Sequence, residues 1–241
     1  MRKADLSAPR AKLDWANNQL AILNAEIRLF SERKPYRIVT KPNPEGPGVL
    51  MYLESSEPVP QMIAMHIGSI LAAQRDSLDF LITTLAEKNG AVEPRDCYFP
   101  IADSAQRFLE KGTQKKIKWL SPEERAIIHD LKPYKGGNNK LYAFNWLCQK
   151  GKHRKPILIG SATTGFGVGG DGYIRSIALF GYQEANSGAP LAAVDASPGI
   201  KLDFTMQIAF REASDAAPRS PVIPTLREFS RMAASIIDLF A

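Results

Sequence analysis

Two long segments with the apolar spacing of an α-helix constrain the fold of this chain more than any other feature of its sequence. In residues 9–32, apolar side chains recur at alternating intervals of three and four, which places them along one helical face. Residues 60–88 repeat the pattern and end at Asn89-Gly90, a pair that favours a helix end. Each segment predicts a long helix whose apolar face needs a covering surface.

The segments around these helices predict strands and shorter helices. Residues 36–40 and 49–53 are β-like and flank a loop with three prolines and two glycines, which predicts a β-hairpin. Ser121-Pro122-Glu123-Glu124 has the residues of a capping box and predicts the start of a short helix. A further helix is expected at 139–149, strands at 157–163, 173–180 and 201–210, and a final helix after Thr225.

This order predicts an α+β fold: long N-terminal helices with an inserted β-hairpin, followed by a C-terminal antiparallel sheet and a final helix. Residues 1–241 are expected to form a single domain, because the strands need the helices to cover one face. A subdivision into a mainly helical part, 1–155, and a part with antiparallel strands and the last helix, 156–241, stays open.

The charge of the chain is positive and unevenly distributed. Its 241 residues include 31 Lys and Arg and 25 Asp and Glu, a net charge of +6, and residues before 156 hold 25 of the basic and 17 of the acidic ones. A basic balance favours nucleic acid or another anion as the partner. The N-terminus lacks the apolar core of a signal peptide and no stretch is apolar enough to span a membrane, so we expect a cytoplasmic protein without a membrane partner.

The densest cationic cluster is Lys152-His153-Arg154-Lys155. It lies in a stretch, 131–170, with seven basic and no acidic residues, among which stand Tyr134, Tyr142, Phe144 and Trp146. Cations mixed with aromatic rings are typical of phosphate contact and base stacking. These four residues, joined by Arg75, therefore form the predicted anion site. The alternative is that the cluster only stabilises the C-terminal end of a helix.

Arg75 has a second predicted role. It interrupts the apolar face of the helix at 60–88 and shares one side with Leu71, Leu78 and Ile82. Asp79 follows at the i+4 position, where opposite charges pair on a helix. We therefore expect a half-buried structural ion pair between Arg75 and Asp79.

Other signals for cofactors and metals are weak. Residues 165–170, Gly-Phe-Gly-Val-Gly-Gly, match the dinucleotide pattern G-x-G-x-x-G, but a strand rather than a helix is expected after them. They are interpreted as a flexible hairpin loop without a nucleotide, and we expect no cofactor. The three histidines are scattered and the two cysteines form no C-x-x-C motif, so we expect no metal site.

In the order of its motifs, the chain resembles a family of uncharacterised bacterial proteins. The matching residues are Ile67-Gly68, Leu71, Arg75, Leu78-Asp79 and Leu81 on one helix, then Phe99-Pro100-Ile101, Pro133-Tyr134 and Lys152-His153-Arg154. The resemblance implies a fold and no known activity. Its helix usually carries His after the Asp, the R-x4-H form of HEPN-type ribonucleases, in which Arg and His flank the scissile RNA phosphate. Phe80 stands at that position here, so the ribonuclease pair is absent.

These observations favour a noncatalytic protein that binds an anionic ligand or nucleic acid through a basic surface. Two alternatives stay open. One is a degenerate ribonuclease-related protein that uses Arg75, Asp79 and His153. The other is a structural or oligomeric accessory protein, in which the charge is incidental. A homo-oligomer is also among the expected partners.

Overall fold

The chain folds into helices and antiparallel strands, so the α+β prediction is confirmed. The computed structural model describes residues 3–153, 159–180, 183–211 and 219–241, and for 151–153 and 159–165 it describes the backbone alone. In chain order the elements are α1 (Ser7–Glu32), β1 (Tyr36–Pro42), β2 (Val49–Ser55), α2 (Gln61–Lys88), α3 (Ala105–Leu109), α4 (Lys111–Gln114), a 3₁₀ turn (Lys115–Ile117), α5 (Pro122–Asp130), α6 (Asn139–His153), β3 (Ile159–Gly170), β4 (Ile174–Leu179), β5 (Pro190–Ala196), β6 (Ile200–Phe210) and α7 (Val222–Asp238).

The main core lies between the long helices. The predicted apolar stripe of α1 is buried against α2, and α7 packs on both of them. Helix α7 contributes Leu226, Phe229, Ala233, Ile236 and Ile237, all of them buried. Burying one such large side chain stabilises the fold by about 1.5–3 kcal/mol, so this stripe-to-stripe packing supplies most of the cohesion of the helices.

The predicted hairpin becomes half of a four-stranded antiparallel sheet in the order β1-β2-β5-β4. Strand β5 was not predicted, because its sequence, Pro-Leu-Ala-Ala-Val-Asp-Ala, has no apolar alternation. Its pairing with β2 joins strands from both sides of residue 156 in one sheet. A smaller core of Met51, Ala192 and Val194 lies on this sheet, with Leu202 and Phe204 of β6 packed against it.

The glycine-rich segment is a strand, so its interpretation as a hairpin loop was wrong. Residues from Ile159 to Gly170 pair with β6, and the chain then passes into β4. At that corner Gly170 has φ +93°, and a Cβ there would lie 2.0 Å from the carbonyl oxygen of Gly199. Only glycine fits such a close backbone approach. The last glycine of the pattern is thus required by the bend of the β-ribbon.

We expect Gly170→Ala to lower the free energy of unfolding by about 1–3 kcal/mol, because alanine is strained at positive φ and clashes with the opposite strand. Gly167→Ala is the matched control, since a Cβ at that position meets nothing within 4 Å. Denaturant unfolding of both variants measures the difference. Equal stability of the two would show that the corner tolerates a side chain.

The C-terminal end of α2 is tied to the start of α5 by a buried carboxylate. Ser121 and Glu124 form the predicted capping box, and Glu124 also accepts hydrogen bonds from Lys88 Nζ and from Asn89 Nδ2 at 2.7 Å. Burial raises the pKa of Glu124, but the bonds from Lys88, the Ser121 backbone and Asn89, together with the charge of Lys88, outweigh it. The pKa of this carboxyl therefore lies below its ordinary value.

A depressed pKa means that this ionised carboxylate stabilises the fold above the ordinary glutamate pKa and ceases to do so as the pH falls through the folded-state pKa. We expect Glu124→Gln to cost about 3 kcal/mol at neutral pH, because Lys88 keeps a buried charge without its counterion. The difference in free energy of unfolding between the variant and the wild type should become smaller in acid. Denaturant unfolding at neutral and at acidic pH measures this difference. As a control, Glu123→Gln at the exposed neighbouring position should change the free energy of unfolding by less than about 0.5 kcal/mol.

Candidate functional site

Arg75 and Asp79, the ion pair predicted on α2, both contact Phe99 in the segment that follows this helix. Arg75 Nη1 lies 2.8 Å from Asp79 Oδ1, which is the ion pair that the i,i+4 spacing predicts. Arg75 Nη2 donates to the carbonyl oxygen of Phe99 at 2.6 Å, and the backbone N–H of Phe99 donates to Asp79 Oδ1 at 2.8 Å. The two side chains thus hold both backbone groups of one residue.

This arrangement gives Arg75 a structural task. Only 9% of Arg75 is exposed, and its guanidinium faces the buried Phe99. Phe80 lies on another side of α2, where its ring centroid is 5.8 Å from Lys12 Nζ of α1. The position that carries His in the HEPN pattern is therefore directed toward α1, while Arg75 is directed toward the segment around Phe99. The participation of Arg75 in anion binding stays a prediction.

The predicted cation cluster falls at the edge of what the structure describes. Arg154 and Lys155 lie outside the described residues, and for Lys152 and His153 only the helical backbone of α6 is described. The helix α6, which precedes the cluster, contacts α2: the Cys148 thiol donates to the carbonyl oxygen of Leu71 at 3.4 Å. Cys148 lies one turn before Lys152, and Leu71 lies one turn before Arg75.

The described part of the acid-free stretch exposes its cations. Lys132, Lys135, Lys140 and Lys150 are all exposed, and Lys140 forms an ion pair with Glu228. The ammonium group of Lys150 lies 5.1 Å from the centre of the Trp146 ring. This part of the chain therefore presents positive charge to solvent.

Among the described rings of Tyr134, Tyr142, Phe144 and Trp146, it is Trp146 that lies beside a cation, although part of this ring packs on the main core. Phe144 is fully buried and packs on Phe229, and Tyr134 packs on Phe108. Tyr142 donates to Asp103 Oδ1 at 3.3 Å. Burial, the charge of Asp103 and this hydrogen bond raise the pKa of Tyr142, so its phenol stays protonated at neutral pH.

The two histidines with described side chains have structural contacts. His66 bridges α2 to α1, with its ring nitrogens 3.1 Å from Glu26 Oε2 and 3.1 Å from Gln19 Oε1. The His129 ring packs edge-on against Phe108, and its Nε2 lies 3.1 Å from Gln114 Oε1. Neither of these histidines is paired with a nucleophile in these contacts.

A cleft of about 630 Å³, which no sequence pattern predicted, lies beside the connection from β2 to α2. It is lined by residues 55–61 together with Glu184, Asn186 and Arg211. Its size is that of a small-molecule site. Its charged groups, however, neutralise one another or neighbours: Glu184 pairs with Arg211 at 2.7 Å, and Glu57 pairs with Arg33 at 3.1 Å. Among the described residues that line the cleft, no unbalanced charge is offered to a ligand.

Reactive and metal-binding groups are sparse in the part of the chain that the structure describes. Within it, no three His, Cys, Asp or Glu side chains come together as metal ligands. Burial raises the pKa of the Cys97 thiol, which disfavours the reactive thiolate. The helices among the described residues include none with the length and apolar character needed to cross a membrane.

Comparison of the chain with protein-family models, with curated proteins and with solved structures finds no match in any of the three. The family resemblance of the motifs stays a prediction. Function has to be inferred from the residues themselves.

The ion pair on α2 makes a prediction about stability. We expect Asp79→Ala to lower the free energy of unfolding by about 3 kcal/mol, because Arg75 loses its counterion and the Phe99 N–H loses its acceptor. Arg28 and Glu32 form an i,i+4 pair of the same kind on the exposed side of α1, so Glu32→Ala should cost less than about 0.5 kcal/mol. Denaturant unfolding compares them, and equal costs would mean that the Arg75–Asp79 pair behaves as solvated surface.

Proposed function

We propose that the protein binds an anionic ligand, in the first place a single-stranded nucleic acid, through Lys152, His153, Arg154 and Lys155. The observation that carries the proposal is the stretch 131–170, which holds seven basic and no acidic residues. Closely spaced cations bind a phosphate chain well, because each neutralised phosphate releases counterions.

The geometry before the cluster supports this role. The preceding lysines are exposed, and Trp146 and Lys150 place a ring beside a positive charge on the same helix. Single-stranded nucleic acids bind to such combinations through stacking and phosphate contact. Arg75 remains part of the proposed anion site, where Asp79 and Phe99 hold its guanidinium.

Two alternatives define the other outcomes of a test. A ribonuclease-related activity would have to use Arg75, Asp79 and His153, without the His that Phe80 replaces. A noncatalytic structural protein would bind no nucleic acid. We place the proposed binding protein in the bacterial cytoplasm, following the family resemblance of its motifs.

The test is a titration of labelled single-stranded RNA and DNA at two salt concentrations. Wild-type binding should weaken steeply with salt, by a slope of about 0.7 for each phosphate contacted in a plot of log affinity against log salt. Replacing Lys152, Arg154 and Lys155 together by alanine should reduce that slope by about 2.

The matched control replaces Lys111, Lys115 and Lys118 by alanine, which removes the same charge from another exposed basic run. Its slope should stay close to that of the wild type. An unchanged slope in the first variant, or an equal loss in both, refutes the proposed site, and unfolding of the first variant would assign the cluster to helix stability. Cleavage of the RNA during the titration would favour the ribonuclease-related alternative.

A further inference from the structure

Helix α1 carries a second apolar stripe that the core does not use. Trp15, Ile22 and Leu29 recur every seven residues, and each is between 45% and 59% exposed. The stripe that packs into the core is a different one, which includes Leu13, Leu20 and Phe30. A solvated helix face does not require large apolar side chains at heptad spacing, whereas a helix–helix interface does.

Helix α2 extends this exposed stripe with Met62, Met65 and Phe80, which are between 43% and 74% exposed. The exposed apolar residues of α1 and those of α2 lie on either side of the line along which the two helices contact each other, here called the seam. At one end, Lys12 Nζ lies 5.9 Å from the ring centre of Trp15 and 5.8 Å from that of Phe80.

At the other end of the seam, His66 of α2 contacts both Gln19 and Glu26 of α1. Lys12, Gln19 and Glu26 are themselves spaced by seven residues, and each apolar residue of the α1 stripe follows one of them by three. The six apolar side chains therefore share the outer face of the α1–α2 pair.

This outer face has the size of a protein–protein interface. The helices have 26 and 28 residues and run side by side. At 1.5 Å per residue and about 10 Å per helix, they present a surface of roughly 40 by 20 Å, or about 800 Å². A standard stable interface buries about 800 Å² on each partner, so the outline of this helix pair is large enough for one.

We propose that the α1–α2 face is covered by a second copy of this chain, so that the two helical pairs form a two-fold symmetric four-helix interface. The charged residues beside the apolar stripe favour a second copy as the partner. Lys12, which pairs with Asp76 of its own chain at 3.2 Å, lies toward one end of α1, and Glu26, which contacts His66, lies toward the other. When two copies of α1 run antiparallel about an axis between Gln19 and Ile22, Lys12 of each copy lies within one helical turn of Glu26 of the other. Two-fold interfaces are self-complementary in this way.

The first test is the mass of the protein in solution, measured by light scattering or sedimentation from micromolar concentrations upward. The wild type should have twice the chain mass of 26.6 kDa. Ile22→Glu places a charge near the proposed axis and should give a monomer that is still folded by circular dichroism. Ala21→Glu puts the same charge on the neighbouring exposed position, off the stripe, and should stay dimeric.

A second test does not depend on weakening the dimer. Both natural cysteines are buried, so a single exposed thiol can be introduced without competition from them. Under mild oxidation Ile22→Cys should form a disulfide-linked dimer, since residues near a two-fold axis meet their own copies, whereas Ala21→Cys should remain uncrosslinked.

Two results would overturn the proposal. One is a wild type that stays monomeric over the whole concentration range, which leaves the face for a different partner. The other is a dimer that persists in Ile22→Glu without crosslinking of Ile22→Cys, which places self-association on another surface.

Discussion

Helix α2 is buried against α1, α6, α7 and the segment around Phe99, and this burial governs the rest of the structure. The middle of α2 is buried, and polar side chains there need partners within the protein. The Gln74 amide nitrogen donates at 2.8 Å to the Leu226 carbonyl and at 2.8 Å to Ser230 Oγ, both in α7. Its neighbour Arg75 contacts Asp79 and the carbonyl oxygen of Phe99. Two consecutive polar residues thus fix the position of α7 and of the chain after α2.

The fold was predictable wherever a single element carries its own signal. Apolar residues at intervals of three and four predicted α1 and α2, and the capping box at Ser121 predicted the start of α5. Prediction failed where pairing with a distant strand decides the conformation. Strand β5 has no pattern of its own, and the glycines of β3 form a strand because they pair residue by residue with β6 from Gly165 to Gly170. Such pairing depends on distant segments of the chain, so the local sequence does not predict it.

The candidate sites divide in the same way. The contact between Arg75 and Asp79 follows from helix geometry alone, but the capture of both backbone groups of Phe99 depends on where a loop twenty residues later packs. The exposed stripe of α1 could not be predicted from the sequence, because the core stripe alone accounts for the amphipathic pattern of this helix. Only the burial of Leu13, Leu20 and Phe30 reveals that Trp15, Ile22 and Leu29 remain outside.

Helix α6 and the outer face of the α1–α2 pair lie on opposite sides of α2. The carbonyl of Leu71 contacts Cys148 of α6, whereas Phe80 contacts Lys12 beside the exposed stripe. Nine residues separate Leu71 from Phe80, or about two and a half turns at 3.6 residues per turn, so the two positions face opposite directions. A second copy on the α1–α2 face therefore leaves α6 uncovered in both copies. If both proposals hold, the dimer has two copies of the proposed anion site, and a polyanion long enough to reach both gains effective concentration that a short anion cannot. Dimerisation would thus favour nucleic acid over a single phosphate group, although neither surface changes its own contacts.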